Sequence, residues 1–159
     1  MKLELIVDMD KNGLIGKNGD IPCHHKKDLR RFASTTKGFP VIIGRNTYES
    51  IIKRLGKPLA KRTNIVITTN KSYIAANGCK VVHSFEEAVM VAEKTGAKKA
   101  FVIGGAQIYE TALSFVDTLR ITIIDLSCGG DTYFPNHELF TENPTHVYGW
   151  NLISKEIVP

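Results

Sequence analysis

The chain has 159 residues, a length typical of one domain. Hydrophobic residues make up 43% of it and charged residues 23%, which excludes a disordered chain, a collagen-like repeat and a disulfide-rich mini-protein. No uncharged stretch reaches the roughly 20 apolar residues of a membrane span, and acidic residues within the first apolar run exclude a secretory signal. We therefore expect a single cytoplasmic domain over residues 1–159.

The charge balance indicates the kind of ligand. The formal net charge is +5, from 21 basic and 16 acidic residues. A basic surface suits either nucleic acid or a phosphorylated or carboxylated small molecule. The basic residues are spread along the chain without a basic-aromatic stripe, so the sequence predicts a small-molecule ligand and no nucleic-acid partner. Cys23, Cys79 and Cys128 form no CxxC pair, and we expect free thiols and no metal site.

Strand-like and helix-like segments alternate along the chain. In chain order, the predicted elements are a strand at 3–9, a Gly- and Asn-rich loop at 10–20, a helix at 26–35, a strand at 40–44, a helix at 47–53, strands at 64–69 and 80–83, a helix at 85–94, a strand at 100–104, a helix at 107–115, a strand at 118–125 and an extended tail at 146–158. Ser84 and Glu87 stand at the spacing of a capping box before the third helix. The pattern predicts an α/β fold with a mixed, mostly parallel central sheet, flanking helices and antiparallel strands at the C-terminal end.

The first candidate for chemistry is Asp28, in the first turn of a predicted helix beside Leu29 and Phe32. Burial in an apolar crevice disfavours the ionised form of a carboxyl group, which lets it exchange protons near neutral pH. The alternative is an ordinary first-turn acid that interacts favourably with the helix dipole. The spacing alone leaves both roles open.

Two strand-to-helix turns could bind phosphate groups. The Gly104-Gly105 pair leads from a strand into a helix, and glycines let a diphosphate approach the free N–H groups of the first turn. The Gly44-Arg45 turn is similar, and Thr68-Thr69 ends the next predicted strand. An arginine with neighbouring hydroxyls suits a phosphate monoester such as the 2′-phosphate of NADP. The alternatives are a tight turn and a helix cap followed by a surface arginine.

Six motifs, in this order and spacing, resemble the dihydrofolate reductase family over residues 3–135. They are Asp10-Lys11-Asn12-Gly13-Leu14-Ile15-Gly16 with Asp20-Ile21-Pro22, then Asp28-Leu29 with Phe32, Gly44-Arg45-Asn46-Thr47-Tyr48-Glu49-Ser50, Arg62-Thr63-Asn64, Ile103-Gly104-Gly105 with Ile108-Tyr109, and Gly130-Asp131-Thr132-Tyr133-Phe134-Pro135. The resemblance implies a monomeric enzyme that reduces dihydrofolate to tetrahydrofolate with NADPH, by hydride transfer to C6 of the pterin with protonation at N5. A reductase of another pteridine or pyrimidine, and a binding protein without turnover, are the alternatives.

The resemblance also implies roles for matching positions. Asp28 is the implied catalytic carboxyl, with Thr122 as its supporting partner, and Arg62 would clamp the glutamate α-carboxylate of the substrate. The implied substrate-binding residues are Ile6, Val7, Asp8, Asp28, Leu29, Phe32, Ile51, Leu59, Arg62, Ile103, Tyr109 and Thr122. The implied NADPH-binding residues are Asp8, Ile15, Gly16, Asn18, Gly19, Asp20, Ile21, Gly44, Arg45, Asn46, Thr47, Thr68, Thr69, Gly104, Gly105, Ala106, Gln107, Ile108 and Thr132. Further implications are a cis peptide between Gly104 and Gly105 and a loop at 16–21 that closes over the nicotinamide.

Three features depart from the family pattern. Cys23 stands where the family usually has Trp, Asp8 stands where it usually has Ala, and extra residues are inserted at 52–56 near the substrate's tail. A second carboxylate near Asp28 would disfavour ionisation of both groups if their side chains converge. Alternatively, Asp8 turns toward solvent or accepts a hydrogen bond from the nicotinamide carboxamide.

Overall fold

One seven-stranded sheet forms the centre of the computed structural model, which describes residues 1–22, 26–124 and 127–141 and the backbone of a strand at 151–158. The strands are β1 (Lys2–Asp10), β2 (Leu14–Gly16), β3 (Val41–Gly44), β4 (Asn64–Ile67), β5 (Lys80–Val82), β6 (Lys99–Val102), β7 (Thr118–Ile124), β8 (Thr132–Tyr133) and β9 (Asn151–Val158). The helices are α1 (Lys26–Thr36), α2 (Arg45–Leu55), α3 (Phe85–Glu93), α4 (Ala106–Ala112) and α5 (Glu138–Thr141). Within these described residues, no helix is long and apolar enough to cross a bilayer.

The sheet confirms the predicted α/β class. Its strand order is β5-β4-β3-β6-β1-β7-β9, and each neighbouring pair is parallel. The antiparallel pairing lies in a separate two-stranded sheet of β2 and β8, whereas β9 runs parallel to β7. The strand direction at the C-terminal end therefore differs from the expectation, because an extended residue pattern predicts a strand but not its direction.

Helices cover both faces of the sheet, and β1 contributes to both cores. Its alternating residues Leu3, Leu5, Val7 and Met9 pack into the core beneath α3 and α4. Ile6 points to the opposite face, where Tyr48 and Ile51 of α2 and the partly buried Phe32 of α1 pack. Asp8 is the next residue on that second face, so the strand's two-residue period directs a carboxyl toward α1.

The helix boundaries show where sequence signals were present and where they were absent. Ser84 caps α3 by accepting a hydrogen bond from the Glu87 N–H at 3.1 Å, and the Glu87 carboxylate accepts one from the His83 N–H at 2.7 Å, which confirms the capping box. By contrast, α2 and α4 are capped by Gly44 and Gly105 without a side-chain hydrogen bond. Both helices begin earlier than predicted because a glycine cap gives no polar signal.

The loop expected to cover the site is a small hairpin. Lys17 and Asp20 exchange backbone hydrogen bonds of 2.8 and 3.0 Å around Asn18-Gly19, and both of these residues have positive φ. Asn-Gly is the dipeptide that such a tight turn favours. The Asn18 N–H donates to the Asp131 carboxylate at 2.8 Å, and this bond lowers the pKa of Asp131. The loop is thereby tied to the segment that leads into β8.

A second attachment joins this loop to α2. The Asp20 carboxylate accepts hydrogen bonds from the Ser50 hydroxyl at 3.0 Å and from the Arg54 guanidinium at 3.2 Å. Arg54 lies in the segment 52–56 that the sequence analysis expects to be inserted, where α2 continues to Leu55 and Gly56 ends it in a left-handed conformation. The last turn of α2 therefore carries a cation to the loop.

The capping-box hydrogen bonds should contribute measurably to the free energy of unfolding. We expect Ser84→Ala to lower the free energy of unfolding by about 1 kcal/mol, because a first-turn N–H loses its acceptor. Ser114→Ala is the matched control, since Ser114 is exposed in the turn after α4. Urea unfolding of both variants gives the comparison, and equal midpoints would contradict the role of the cap.

The Asp20–Arg54 pair predicts a local effect on the loop. We expect Arg54→Ala to speed amide hydrogen exchange at residues 17–21 about threefold, as for loss of one partly exposed ion pair, without changing global stability. Lys53→Ala is the control because Lys53 is exposed on the same turn of α2. Equal loop exchange in the two variants would show that the ion pair does not hold the loop.

Candidate active site

The carboxyl ends of the parallel strands meet at one edge of the sheet. In the strand registers Gly44 lies beside Ile67, and Ile67 lies beside Val82. The residues that directly follow these strands are therefore neighbours at the edge: they are Arg45, Thr68 and His83. Ligands of open α/β sheets bind at this edge, as the sequence interpretation of the Gly44-Arg45 and Thr68-Thr69 segments requires.

Glycines let β3 and β6 approach each other closely at this edge. The Gly44 N–H donates to the Gly104 carbonyl at 2.7 Å, and the peptide bond between Gly104 and Gly105 is cis, as the resemblance implied. A Cβ on Gly104 would lie 2.9 Å from the Tyr109 ring, and one on Gly105 would lie 2.9 Å from the Thr47 hydroxyl. A side chain at either position would therefore have to displace the Tyr109 ring or the Thr47 hydroxyl.

The predicted phosphate-binding residues surround this turn. Arg45 is partly exposed and lies 3.7 Å from Glu49 in the next helical turn, which leaves the guanidinium at the surface. The Thr68 hydroxyl is buried and accepts the Asn70 N–H at 3.1 Å, while Thr69 is exposed. The other predicted residues at this end are also reachable from solvent: Asn46 and Gln107 are exposed, and Thr47, Ala106 and Ile108 are partly buried.

His83 is a residue of this edge that the sequence interpretation did not select. Its Nδ1 lies 2.8 Å from the Thr68 carbonyl oxygen, which fixes the imidazole beside the ends of β4 and β5. In the sequence, His83 stands at the end of a predicted strand, as Thr68-Thr69 does. The sequence does not show that these two strands are neighbours, so it could not place His83 beside Thr68.

An apolar wall continues from the glycine turn. Four predicted substrate-binding residues belong to one buried cluster, with Phe32 packed against it: they are Ile6, Ile51, Leu59 and Ile103. The Tyr109 hydroxyl donates to the Ile6 carbonyl at 2.9 Å, so this residue supports the wall from behind. Val7 is the exception, because its side chain points into the opposite core.

Asp28 occupies the polar end of this wall. Its side chain is only 4% exposed, and the adjoining pocket is lined by Asp8, Ile21, Pro22 and Leu29 among others. The Arg31 guanidinium, one turn later in α1, donates to Asp28 at 2.9 Å and to Asp8 at 3.2 Å. Asp28 is therefore buried and paired with a cation, and its catalytic role, as against that of a first-turn acid that interacts with the helix dipole, stays a prediction.

The two carboxyl groups converge, which decides between the orientations considered for Asp8. Burial raises the pKa of Asp8 to about 8, and the neighbouring Asp28 carboxyl adds to the increase, while Arg31 acts in the opposite direction. Two anions and one cation share a poorly hydrated pocket, so the neutral form of Asp8 is favoured. Arg31 is a residue of this site that the sequence interpretation did not select.

Thr122 and Arg62 lie near their expected places but with different partners. Thr122 pairs with Asp8 in the β1–β7 register, and its buried hydroxyl has no hydrogen-bond partner among the described residues, so its support of Asp28 stays a prediction. Arg62 donates to the Thr36 hydroxyl at 2.9 Å and to the Ala60 and Ala33 carbonyls at 2.8 Å each. One N–H on each terminal nitrogen is still available, which suffices for a bidentate carboxylate.

The far side of the pocket holds a residue group that the sequence did not identify. The Asp10 carboxylate accepts hydrogen bonds from the N–H groups of Asn12, Leu14 and Cys128 at 2.8, 2.9 and 3.2 Å.

Cys128 is disulfide-bonded whereas Cys79 is free, so the expectation of three free thiols is wrong at Cys128. Cysteine spacing cannot reveal such a bond, because it depends on proximity in the fold. Cys23, the departure from the family's Trp, lies outside the described residues.

Comparisons with known proteins agree with this geometry. The family model described as "Dihydrofolate reductase" matches residues 2–147. "Dihydrofolate reductase type 3" of Salmonella typhimurium is 41% identical over 137 residues, which cover 86% of this chain and 80% of that protein. "Dihydrofolate reductase" of Bacillus subtilis is 38% identical over 154 residues, covering 97% of this chain and 83% of that protein.

The structural comparison gives the same answer. A solved structure of dihydrofolate reductase from Enterococcus faecalis, complexed with NADP(H) and RAB-propyl, superposes with a TM-score of 0.75. The two chains are 34% identical, and the match covers 85% of this chain and 77% of that one. The sequence motifs, the glycine turn at the strand ends and the buried Asp28 all agree with these matches: the chain belongs to the dihydrofolate reductase family.

Proposed function

We propose that the protein reduces dihydrofolate to tetrahydrofolate with NADPH, in the cytoplasm and as a monomer. The observation that carries the proposal is the position of Asp28, a buried carboxyl at the end of an apolar wall and beside a glycine turn at the strand ends. Relatives that bear the reductase name and a solved relative that holds NADP(H) support the reaction and the cofactor.

The described residues suit NADPH in two respects. The glycine turn carries no side chain at Gly105, where a Cβ would crowd the Thr47 hydroxyl, and α2 begins without a side-chain cap, so its first N–H groups can donate to phosphate. Arg45 and Thr68 stand at the adjacent strand ends, where a 2′-phosphate needs a cation and a hydroxyl. When bound, NADPH supplies the hydride.

The pocket residues would then orient the pterin and handle its proton. The apolar wall of Ile6, Ile51 and Ile103 offers a flat ring a dry surface, and stacking at contact distance accounts for much of such a rate enhancement. Asp28 lies where a carboxylate can accept N–H groups of the pterin and favour protonation at N5. Arg62 has two N–H groups available for the glutamate carboxylate.

The loop at 16–21 would exclude water from the reacting rings. Ile21 lines the pocket beside Asp28, and the loop is held by Asp131 on one side and by Ser50 and Arg54 on the other. Excluding water strengthens every charge interaction in the pocket.

Asp28→Asn tests the reaction and the role of the carboxyl together. The unaltered protein should consume NADPH only when dihydrofolate is present, followed as loss of the NADPH absorbance band. We expect Asp28→Asn to lower turnover at neutral pH by a factor of about 100 or more, with partial recovery at acid pH, because the amide cannot support protonation of the substrate.

Glu93→Gln is the matched control, since Glu93 is an exposed carboxylate on α3. Circular dichroism establishes that each variant is folded. Near-normal turnover of Asp28→Asn at neutral pH would refute the role of Asp28. Absence of turnover in the unaltered protein would refute the reductase and favour a binding protein or another pteridine substrate.

Arg45→Gln tests the placement of the cofactor's phosphate. We expect the KM for NADPH to rise about tenfold, the loss of one charge-assisted hydrogen bond, while the KM for NADH stays the same. Lys53→Gln serves as the control because Lys53 is an exposed cation on the same helix. Equal increases for the two cofactors would place the 2′-phosphate elsewhere.

A further inference from the structure

The pair of carboxyls at Asp8 and Asp28 supports an inference about how this chain controls its proton. We propose that Asp8 is a positioning residue that shares one proton with Asp28 beside Arg31 and sets the upper pH limit of the reduction. This inference rests on the proposed function for its effect on turnover, but the shared proton itself is a property of the unliganded protein.

Backbone geometry brings the three groups together. Asp8 follows Ile6 on the β1 face that α1 covers, whereas Val7 and Met9 point to the other core. Asp28 and Arg31 lie three residues apart on α1, so one helix face presents a carboxyl and a guanidinium side by side. The guanidinium contacts Asp28 Oδ1 at 2.9 Å and Asp8 Oδ1 at 3.2 Å through the same nitrogen, Nη2.

The charges in this cluster do not balance when both acids are ionised. Asp28 is 4% exposed and Asp8 is 24% exposed, so neither carboxylate is well hydrated. Among the residues that the structure describes here, Arg31 is the cation that contacts both of them. Adding one proton to the pair removes the excess negative charge and lets one carboxyl donate a hydrogen bond to the other.

The other groups around Asp8 do not change the charge balance of Asp8, Asp28 and Arg31. On α4 the buried Tyr109 hydroxyl donates to the Ile6 carbonyl, and its pKa is raised by burial and by the charge of Asp8, so it stays neutral. On β7 Thr122 offers a neutral hydroxyl opposite Asp8. On β1 itself, the Asp10 carboxylate accepts three backbone N–H groups at the far side of the pocket.

The protonation state of Asp8 affects how Asp28 and the bound substrate hold their protons. With Asp8 protonated, Asp28 remains the anion that accepts N–H groups of the pterin, held by Arg31 on one side and by the Asp8 hydroxyl on the other. As the pH rises and Asp8 loses its proton to solvent, its new negative charge still favours a proton on the bound substrate. The ionised state of Asp8 is therefore the one that extends activity to higher pH than Asp28 and Arg31 alone would, because the neutral Asp8 hydroxyl stabilises the Asp28 anion without adding negative charge.

Carbon-13 NMR of protein labelled at aspartate carboxyls tests the shared proton without any substrate. We expect one carboxyl signal to titrate with a midpoint near 8, the value to which burial and Asp28 raise the pKa of Asp8, and to be missing in Asp8→Asn. Arg31→Gln should move that midpoint upward, because the cation that favours the ionised pair is removed.

Arg30→Gln is the matched control, an exposed arginine on the same helix whose loss should leave the midpoint in place. A signal that Asp8→Asn removes but that titrates below about pH 6, closer to an ordinary aspartate, would overturn the proposal. So would an equal effect of Arg31→Gln and Arg30→Gln.

The pH dependence of turnover tests whether Asp8 sets the upper pH limit of the reduction. We expect the alkaline midpoint of kcat to fall by at least about one pH unit in Asp8→Asn, whatever its maximal rate. A merely structural role would lower kcat in parallel at every pH, and coincident midpoints would overturn the proposal. If the unaltered protein shows no turnover at any pH while the carboxyl signal titrates as expected, the proposed function fails and the shared proton stands.

Discussion

The hydrogen bond from the Gly44 N–H to the Gly104 carbonyl brings two strand ends into contact, and the site depends on that contact. It sets β3 beside β6 at the point where α2 and α4 begin, and it requires residues without a Cβ. Behind Gly104 stands Tyr109, whose hydroxyl holds the carbonyl of Ile6 on β1. A connected series of contacts thus runs from the phosphate end of the site to the strand that carries Asp8. The position of Asp8 on β1 therefore depends on how closely the glycine turn packs against Tyr109.

The local parts of this structure could be predicted from the sequence because their causes are local. Apolar runs gave the strands of the central sheet, and the capping box gave the start of α3 within one residue. The residue patterns selected the glycine turn and Asp28, and the structure shows the cis peptide that the resemblance implied and a buried Asp28, while their roles in binding and catalysis stay predictions. The short elements β8 and α5 gave no signal, because two and four residues are too few to show a period.

What the sequence could not give depends on proximity in three dimensions. The register that sets Thr122 opposite Asp8 and the disulfide of Cys128 were not foreseen. The contact of Arg31 with both acids needs a helix and a strand at a fixed distance, which neither pattern specifies alone. Buried charged side chains beside an apolar wall also reduce stability, and such local conflicts concentrate at functional sites.

The last turn of α2 has a consequence for the temperature dependence of the loop. Arg54 is the second-last residue of that helix, and helix ends open and close with small free energies. Opening of the final turn withdraws the guanidinium from Asp20, so fraying of the helix end weakens one attachment of the loop while Ser50 and Asp131 still hold it. The strength of this one attachment therefore falls with temperature as a helix outside the loop frays.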